Sequence, residues 1–392
     1  MGKSRVVHLM RERAMAGLYF HIPFCEHKCI YCDFYSVVPQ SSAREVASFL
    51  TGLRTELELY GASPYHSSKY ETVFFGGGTP SLLSPVDVEK ILDLLRTRFS
   101  ISQDAEITLE TNPGTVDFER LRELRAAGIT RVSIGVQSFH DDDLKFLTRI
   151  HSSSEAADCV RDAFRAGFDD VGIDLIFALP SQTSKRWLGT LDKAIALQPT
   201  HVSCYSLIVE PGTPLERLIA SGQIQSLSVA ADAELYELTI DTLVSRGYEQ
   251  YEISNFARPG SQCRHNVNYW NHTNYIGLGP SAHSFWEGER WWNVSDANIY
   301  RNLLDSGRLP IEGRERLSPD ELLEEDLYLG LRSSGIDVEL FAARHGAWVL
   351  ERFRSAMESL REEKMLAWEG NRIRLTPRGY ALCDEICATL MR

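Results

Sequence analysis

The sequence predicts an α/β protein built on a full or partial barrel of parallel strands, followed by a smaller, mainly helical module with the outline of a winged helix. Three observations carry that expectation. Short β-rich runs alternate with amphipathic helical patterns from residue 17 to about 210, as parallel βα units do. A local pattern recurs: Ala127-Gly128-Ile129 before Val132 and Ile134, Ala166-Gly167-Phe168 before Val171 and Ile173, and Arg246-Gly247-Tyr248 before Tyr251 and Ile253. Each copy reads as a helix stopped by glycine and then a buried strand. No dinucleotide-binding glycine fingerprint accompanies the repeat, which favours a barrel over a Rossmann sheet.

Taken in order, residues 1–16 form an N-terminal extension. Lys3, Arg5, Arg11 and Arg13 make it basic, and Met15 stands directly before the first strand. The segment is either a disordered extension or lies upstream of the true start; a transit peptide would need a serine-rich amphipathic pattern that it lacks. The barrel core is expected over 17–250, with strands at 18–22, 72–75, 106–110, 131–136, 171–177 and 201–207. Between the second and third, Ser84 and Asp87 have capping-box spacing, Pro85 takes the first helical position, and Val88, Ile91, Leu92, Leu95 and Phe99 line one face of a helix. Residues 251–315 read as a connecting region, aromatic and Asn-rich, with an irregular stretch from about 253 to 300. Residues 316–392 read as three helices, a β pair at 365–368 and 372–375, and a last helix from Pro377.

Composition narrows the classes of function. With 392 residues and 43% hydrophobic side chains the chain has ample core. No run approaches the roughly 18 apolar residues of a membrane span, and the start lacks a secretory apolar segment, so a cytoplasmic address is expected. A net charge of −13 opposes phosphate neutralisation and argues against nucleic-acid partners. Eight unevenly spaced cysteines do not make a secreted disulfide framework.

In a barrel the active groups sit at the carboxyl ends of strands, and the informative residues fall there. Cys25, Cys29 and Cys32 follow the first strand with x3 and x2 spacing. Three thiolates in one loop hold three irons of a 4Fe-4S cubane and leave the fourth without a protein ligand. An amine and carboxylate from one ligand chelate such an open iron, which in S-adenosylmethionine brings the sulfonium against the cluster for one-electron cleavage to a 5'-deoxyadenosyl radical. The competing reading is a zinc knuckle, with His27 as the nearest fourth ligand.

The triad, with Tyr31 directly before its third cysteine, resembles the radical-SAM superfamily, and implies a partial (β/α)6 TIM-like barrel. Gly76-Gly77-Gly78-Thr79-Pro80 after the second strand resembles the segment that receives the methionyl amine in that superfamily. The likeness narrows to the coproporphyrinogen dehydrogenase group, HemN and its relatives, beginning at Tyr19-Phe20-His21-Ile22-Pro23-Phe24-Cys25 and including the C-terminal module. It implies that Tyr19, Tyr31, Gly77, Gly78, Thr79 and Glu110 contact S-adenosylmethionine. Gln137, Arg149 and Asp174 match positions that line a second such molecule in HemN. Asp174 between Ile173 and Leu175 needs a polar barrel mouth or a buried partner, whereas Arg149 also reads as a solvated loop cation.

Two departures from HemN point to its HemW haem-chaperone branch. Phe34 stands where HemN has a further cysteine, and 24 residues precede Cys25 where HemN has a longer segment. His265-Asn266-Val267-Asn268-Tyr269-Trp270 reproduces the HNxxYW motif of that branch. Imidazole is a common haem ligand and the two aromatics offer flat apolar faces, so His265, Tyr269 and Trp270 are the expected haem site, with Asn266 or Asn268 as acceptor for the other ring nitrogen; the competing reading is a core histidine beside aromatic packing. His283 and Cys263 are the next candidates. The expected function is binding of haem and its delivery to an unidentified haem-accepting protein, membrane-associated or not, with cluster and S-adenosylmethionine in support. The alternative is radical decarboxylation of coproporphyrinogen III to protoporphyrinogen IX.

Overall fold

The protein is described here by a computed structural model covering residues 15–40 and 42–391; residues 1–14, nearly all of the expected extension, lie outside it. The six expected strands are β1 Met15–Ile22, β2 Lys69–Gly77, β3 Ser100–Thr111, β4 Arg131–Gln137, β5 Asp170–Phe177 and β6 His201–Ser206. They lie side by side in chain order, all parallel. Parallel strands covered on both faces need apolar runs, and Leu18, Phe20 and Ile22 of β1 are fully buried.

The connections are helical: α1 Ser42–Gly61, α2 Pro85–Arg98, α3 Phe118–Ala127, α4 Asp141–Phe146, α5 Ser153–Arg165 and α6 Ser184–Ala196. Ser84 caps α2 by accepting the Asp87 N–H at 3.1 Å, and Val88, Ile91, Leu92 and Leu95 are buried. Gly128 ends α3 at φ 114°, a left-handed conformation that costs glycine nothing.

The third copy of the glycine pattern departs from expectation. Gly247 ends α8 Val229–Ser245, which follows the short α7 Pro214–Ala220, but the chain then forms only β7 Glu249–Gln250, antiparallel to β8 Asn255–Ala257. The stretch Glu249-Gln250-Tyr251-Glu252 has too little continuous apolar surface for a strand buried on both faces.

The stretch read as irregular is also more ordered than expected. It holds α9 Arg264–Trp270, β9 Tyr275–Leu278, β10 His283–Trp286, β11 Glu289–Asn293 and α10 Ala297–Asp305, before β12 Ile311–Arg316. Strand β9 pairs parallel with β1, and the sheet runs β12-β11-β10-β9-β1-β2-β3-β4-β5-β6-β8-β7. Among the described residues its two ends do not pair, so the barrel is open. Glu56 of α1 pins the added strands: its carboxylate accepts from Gly279 N at 2.9 Å, Asn293 Nδ2 at 2.7 Å and Tyr300 Oη at 2.6 Å.

The C-terminal module has α11 Pro319–Arg332, β13 Ile336–Asp337, α12 Val338–His345, α13 Trp348–Glu362, β14 Leu366–Glu369, β15 Arg372–Leu375, α14 Pro377–Tyr380 and α15 Cys383–Leu390. The last helix is thus two short ones. A small sheet ordered β13-β15-β14 covers a separate core that includes Leu327, Leu331, Phe353 and Ile373. The module meets the barrel where Asp326 accepts from His272 Nδ1 at 2.9 Å and Ile253 N donates to Arg332 O at 2.9 Å. Among the described residues no helix is long and apolar enough to cross a membrane.

Candidate functional site

The carboxyl ends of the parallel strands surround a cavity of about 390 Å³, and the loop after β1 forms one wall with Cys25, Cys29 and Cys32. Backbone bonds fix that loop. Cys25 N donates to Val37 O at 3.0 Å, Val37 N to Pro23 O at 2.7 Å, and Cys32 N to Cys29 O at 3.2 Å. Burial pushes the Cys32 thiol up to about 11, and the neighbouring Cys29 and Cys25 add to the shift. Among the described residues no three of His, Cys, Asp and Glu close on a point that a single metal ion would occupy. The fit to an iron–sulfur group rests instead on three free thiols along one cavity wall, with room in front of them.

The glycine segment forms the adjoining wall. Gly77 sits at φ 103°, and a Cβ at Gly78 would lie 2.6 Å from the Phe24 carbonyl, so backbone alone fits there. Thr79 Oγ1 reaches the Cys25 sulfur at 3.6 Å. Gly77 N donates to Glu110 Oε2 at 3.2 Å, tying β2 to β3 at the cavity. Burial, and then the negative Asp174, push Glu110 up to about 8. Asp174 is raised as well, by burial, against hydrogen bonds from Ser203 and Ser133 that hold it down. Two carboxyl groups whose ionisation is opposed in this way favour a cationic or hydrogen-bond-donating ligand in front of them.

Gln137, at φ 64° where β4 ends, also lines the cavity, as do Tyr31 and Arg149. Arg149 is no solvated loop cation. Its guanidinium donates to Gly135 O at 2.9 Å and to Asn112 Oδ1, and it reaches the Cys29 sulfur at 3.6 Å. Of the residues expected around cluster and S-adenosylmethionine, Tyr19 alone lies outside this cavity, lining a neighbouring hollow. Asn112 lies in the strand-end segment 110–113 where active groups are expected, but neither it nor Ser133 or Ser203 carried an expected role. Asn112 bonds both Thr79, at 3.0 Å, and Arg149, and its signal was a polar side chain just past a strand end. The two serines were legible only as hydroxyls interrupting apolar strands.

The HNxxYW residues are not brought together on one open face. His265 is buried in α9, its Nδ1 2.8 Å from Thr72 Oγ1 and its Nε2 2.9 Å from Tyr269 Oη, so neither nitrogen is free for iron in this conformation. Burial lowers its pKa to about 3. Asn268, one of the acceptors expected for it, donates to Thr72 instead. Glu106 of β3 caps the helix by accepting from Arg264 N at 3.0 Å and His265 N at 3.1 Å, and it also takes the Cys263 thiol. Trp270 faces a different hollow, shared with Asp326 and Arg344 of the C-terminal module. His283 is exposed.

Comparison with known proteins adds three findings. Residues 19–194 match the Radical SAM superfamily and residues 317–382 the HemN C-terminal domain. Among curated proteins, heme chaperone HemW of Mycobacterium tuberculosis is 38% identical over 96% of this chain and 94% of its own length. Heme chaperone HemW of Bacillus subtilis is 34% identical over 95% of this chain and 98% of its own. The solved coproporphyrinogen III oxidase HemN of Escherichia coli superposes with a TM-score of 0.81 at 23% identity, covering 98% of this chain and 93% of that one, a likeness of fold.

Proposed function

The chain belongs to the radical SAM superfamily, among the heme chaperone HemW relatives, and from that premise we propose that it binds haem and delivers it in the cytoplasm to an acceptor haemoprotein. In this reading Cys25, Cys29 and Cys32 hold a 4Fe-4S cluster, and S-adenosylmethionine occupies the cavity in front of them. The observation that carries it is the meeting of the triad, the glycine segment and the Glu110–Asp174 pair in one cavity, on a chain similar to HemW relatives over 96% of its length.

The bound cluster supplies one electron at low potential and an open iron for an amino acid's amine and carboxylate. The protein does the rest. Gly77 and Gly78 let the end of β2 pack against His21 and Phe24, so that backbone lines the cavity beside the cysteine loop, and Glu110 and Asp174 present acceptors for a charged or hydroxyl-bearing nucleoside. Arg149 offsets the charge that three thiolates accumulate.

Anaerobic reconstitution tests this reading. About four irons per chain are expected, with a reduced EPR signal that changes when S-adenosylmethionine is added, a Soret band on haem titration, and no decarboxylation of coproporphyrinogen III. Turnover of coproporphyrinogen III would replace the chaperone by the dehydrogenase. Failure to bind haem would remove the chaperone reading.

A further inference from the structure

Beside the Cys32–Phe34 turn lies a second hollow, of about 320 Å³, whose lining is aromatic: Tyr19, Tyr35, Tyr269 and Tyr275. Asp33 and Phe34 border both this hollow and the larger cavity, so the two share a wall. His283, at the start of β10, completes the lining.

The imidazoles here differ in their availability. His21 is engaged at both nitrogens, 3.2 Å from Tyr19 Oη and 2.8 Å from Tyr35 O, and His265 is engaged at both by Thr72 and Tyr269. The His283 ring is exposed, and among the described residues it has no hydrogen-bond partner. It is held nonetheless. His283 pairs across the β10–β11 ladder with Trp292, and their rings stack at 5.9 Å between centroids and 25° between planes. Partial burial and the nearby Arg290 lower its pKa, which keeps the ring neutral and its lone pair available at pH 7.

Phe34 borders the same hollow. Its ring is 62% exposed on the border of this hollow, a large flat apolar face left to water. Covering such a ring is worth about 25 cal/mol for each Å² removed from solvent, so a flat apolar ligand gains by lying on it. A porphyrin is too broad to be enclosed in a hollow of this size. It would rest one face and one edge here and leave the other face to solvent, which suits a carrier that must give its cargo up.

We propose that His283 is the axial ligand of the haem iron and that the hollow flanked by Phe34 seats one face of the macrocycle. The proposal rests on the haem-chaperone reading and names the site for it. It places the cargo against the loop that carries Cys32, so cluster and haem share a wall rather than a pocket.

The test is a haem titration of the cluster-loaded protein and of His283→Ala, followed at the Soret band, with metal-free protoporphyrin IX titrated in parallel by fluorescence quenching. His283→Ala is expected to weaken haem binding about tenfold or more and to shift the Soret maximum. Added imidazole should restore the band, which shows that the variant is folded. Metal-free protoporphyrin should bind the parent and His283→Ala alike, whereas Phe34→Ala should weaken both ligands. If the parent binds haem and His283→Ala keeps the same affinity and Soret maximum, the ligand assignment is overturned and the chaperone reading survives. If the parent binds no haem, both fall.

Discussion

The guanidinium of Arg149 lies 3.6 Å from the Cys29 sulfur, although 120 residues separate them in the chain. The strand-end geometry brings them together, and the bonds from Arg149 to Gly135 O and Asn112 hold the guanidinium in place. A charge-assisted bond from Arg149 favours the thiolate form of Cys29, the form that binds iron, and balances the negative charge of a cluster.

Arg149→Ala is therefore expected to assemble a cluster that loses iron to a chelator about tenfold faster than the parent. Arg149→Lys should recover part of the retention, since a point charge lacks the planar fork. Iron released over time, read with a colorimetric chelator, checks both. Equal release from Arg149→Ala and parent would show that the contact is idle.

Glu110 makes ligand binding depend on pH. Its folded value of about 8 lies above the ordinary 4.5, so the folded chain keeps a proton that the unfolded chain gives up. Between those values the ligand-free protein loses stability as pH rises. A cationic ligand in front of the carboxylate favours the ionised form, so affinity for S-adenosylmethionine should rise from about pH 6 to about pH 8 and then level off. Calorimetric titrations across that range check the slope, and Glu110→Gln should flatten it. A slope that persists in Glu110→Gln would assign it to another group.

Removing Glu56 should loosen the added strands. The side chain accepts from Gly279 N, Asn293 Nδ2 and Tyr300 Oη, and Glu56→Ala leaves all three buried donors without it. A cost of about 3 kcal/mol is expected, measured by urea unfolding. Burial pushes Glu56 up to about 7, so the parent protein should also lose stability as pH rises from about 4.5 through 7. Glu56→Ala should lack that part of the pH dependence.

For His265 the expected loss is structural. His265→Ala removes two buried hydrogen bonds and opens a cavity between α9 and β2, which should cost about 2 to 4 kcal/mol. Haem affinity should stay within about threefold of the parent, well short of a lost axial ligand. Denaturant unfolding and Soret titration separate the two effects. A folded His265→Ala that loses the Soret band would return the ligand to α9.

The parts of this molecule that were legible in sequence are those whose causes are local. The Ser84 cap and the Gly128 stop each depend on residues a few positions apart, and both are present in the structure as expected. What escaped depends on distant pairing. Strand β9 is four residues long and finds its partner in β1, more than 250 residues earlier. The bond between His265 and Thr72 spans 193 residues, and nothing near the HNxxYW motif announces it. Asp174 lies between these cases: a carboxylate inside an apolar strand announced a polar surrounding, but not that Ser133 and Ser203 on the flanking strands would provide it.

An open barrel has two free margins, and each is unsuited to recruiting a second molecule. At one end β7 is two residues long, too short to template another chain. At the other, β12 reads Ile-Glu-Gly-Arg-Glu-Arg, with Glu312 and the run from Arg314 to Arg316 exposed. A strand docking there in register would set its own side chains among alternating fixed charges and desolvate them without matched partners. The fold thus keeps the parallel sheet, which barrel closure would otherwise protect, from growing by edge-to-edge aggregation in a crowded solution.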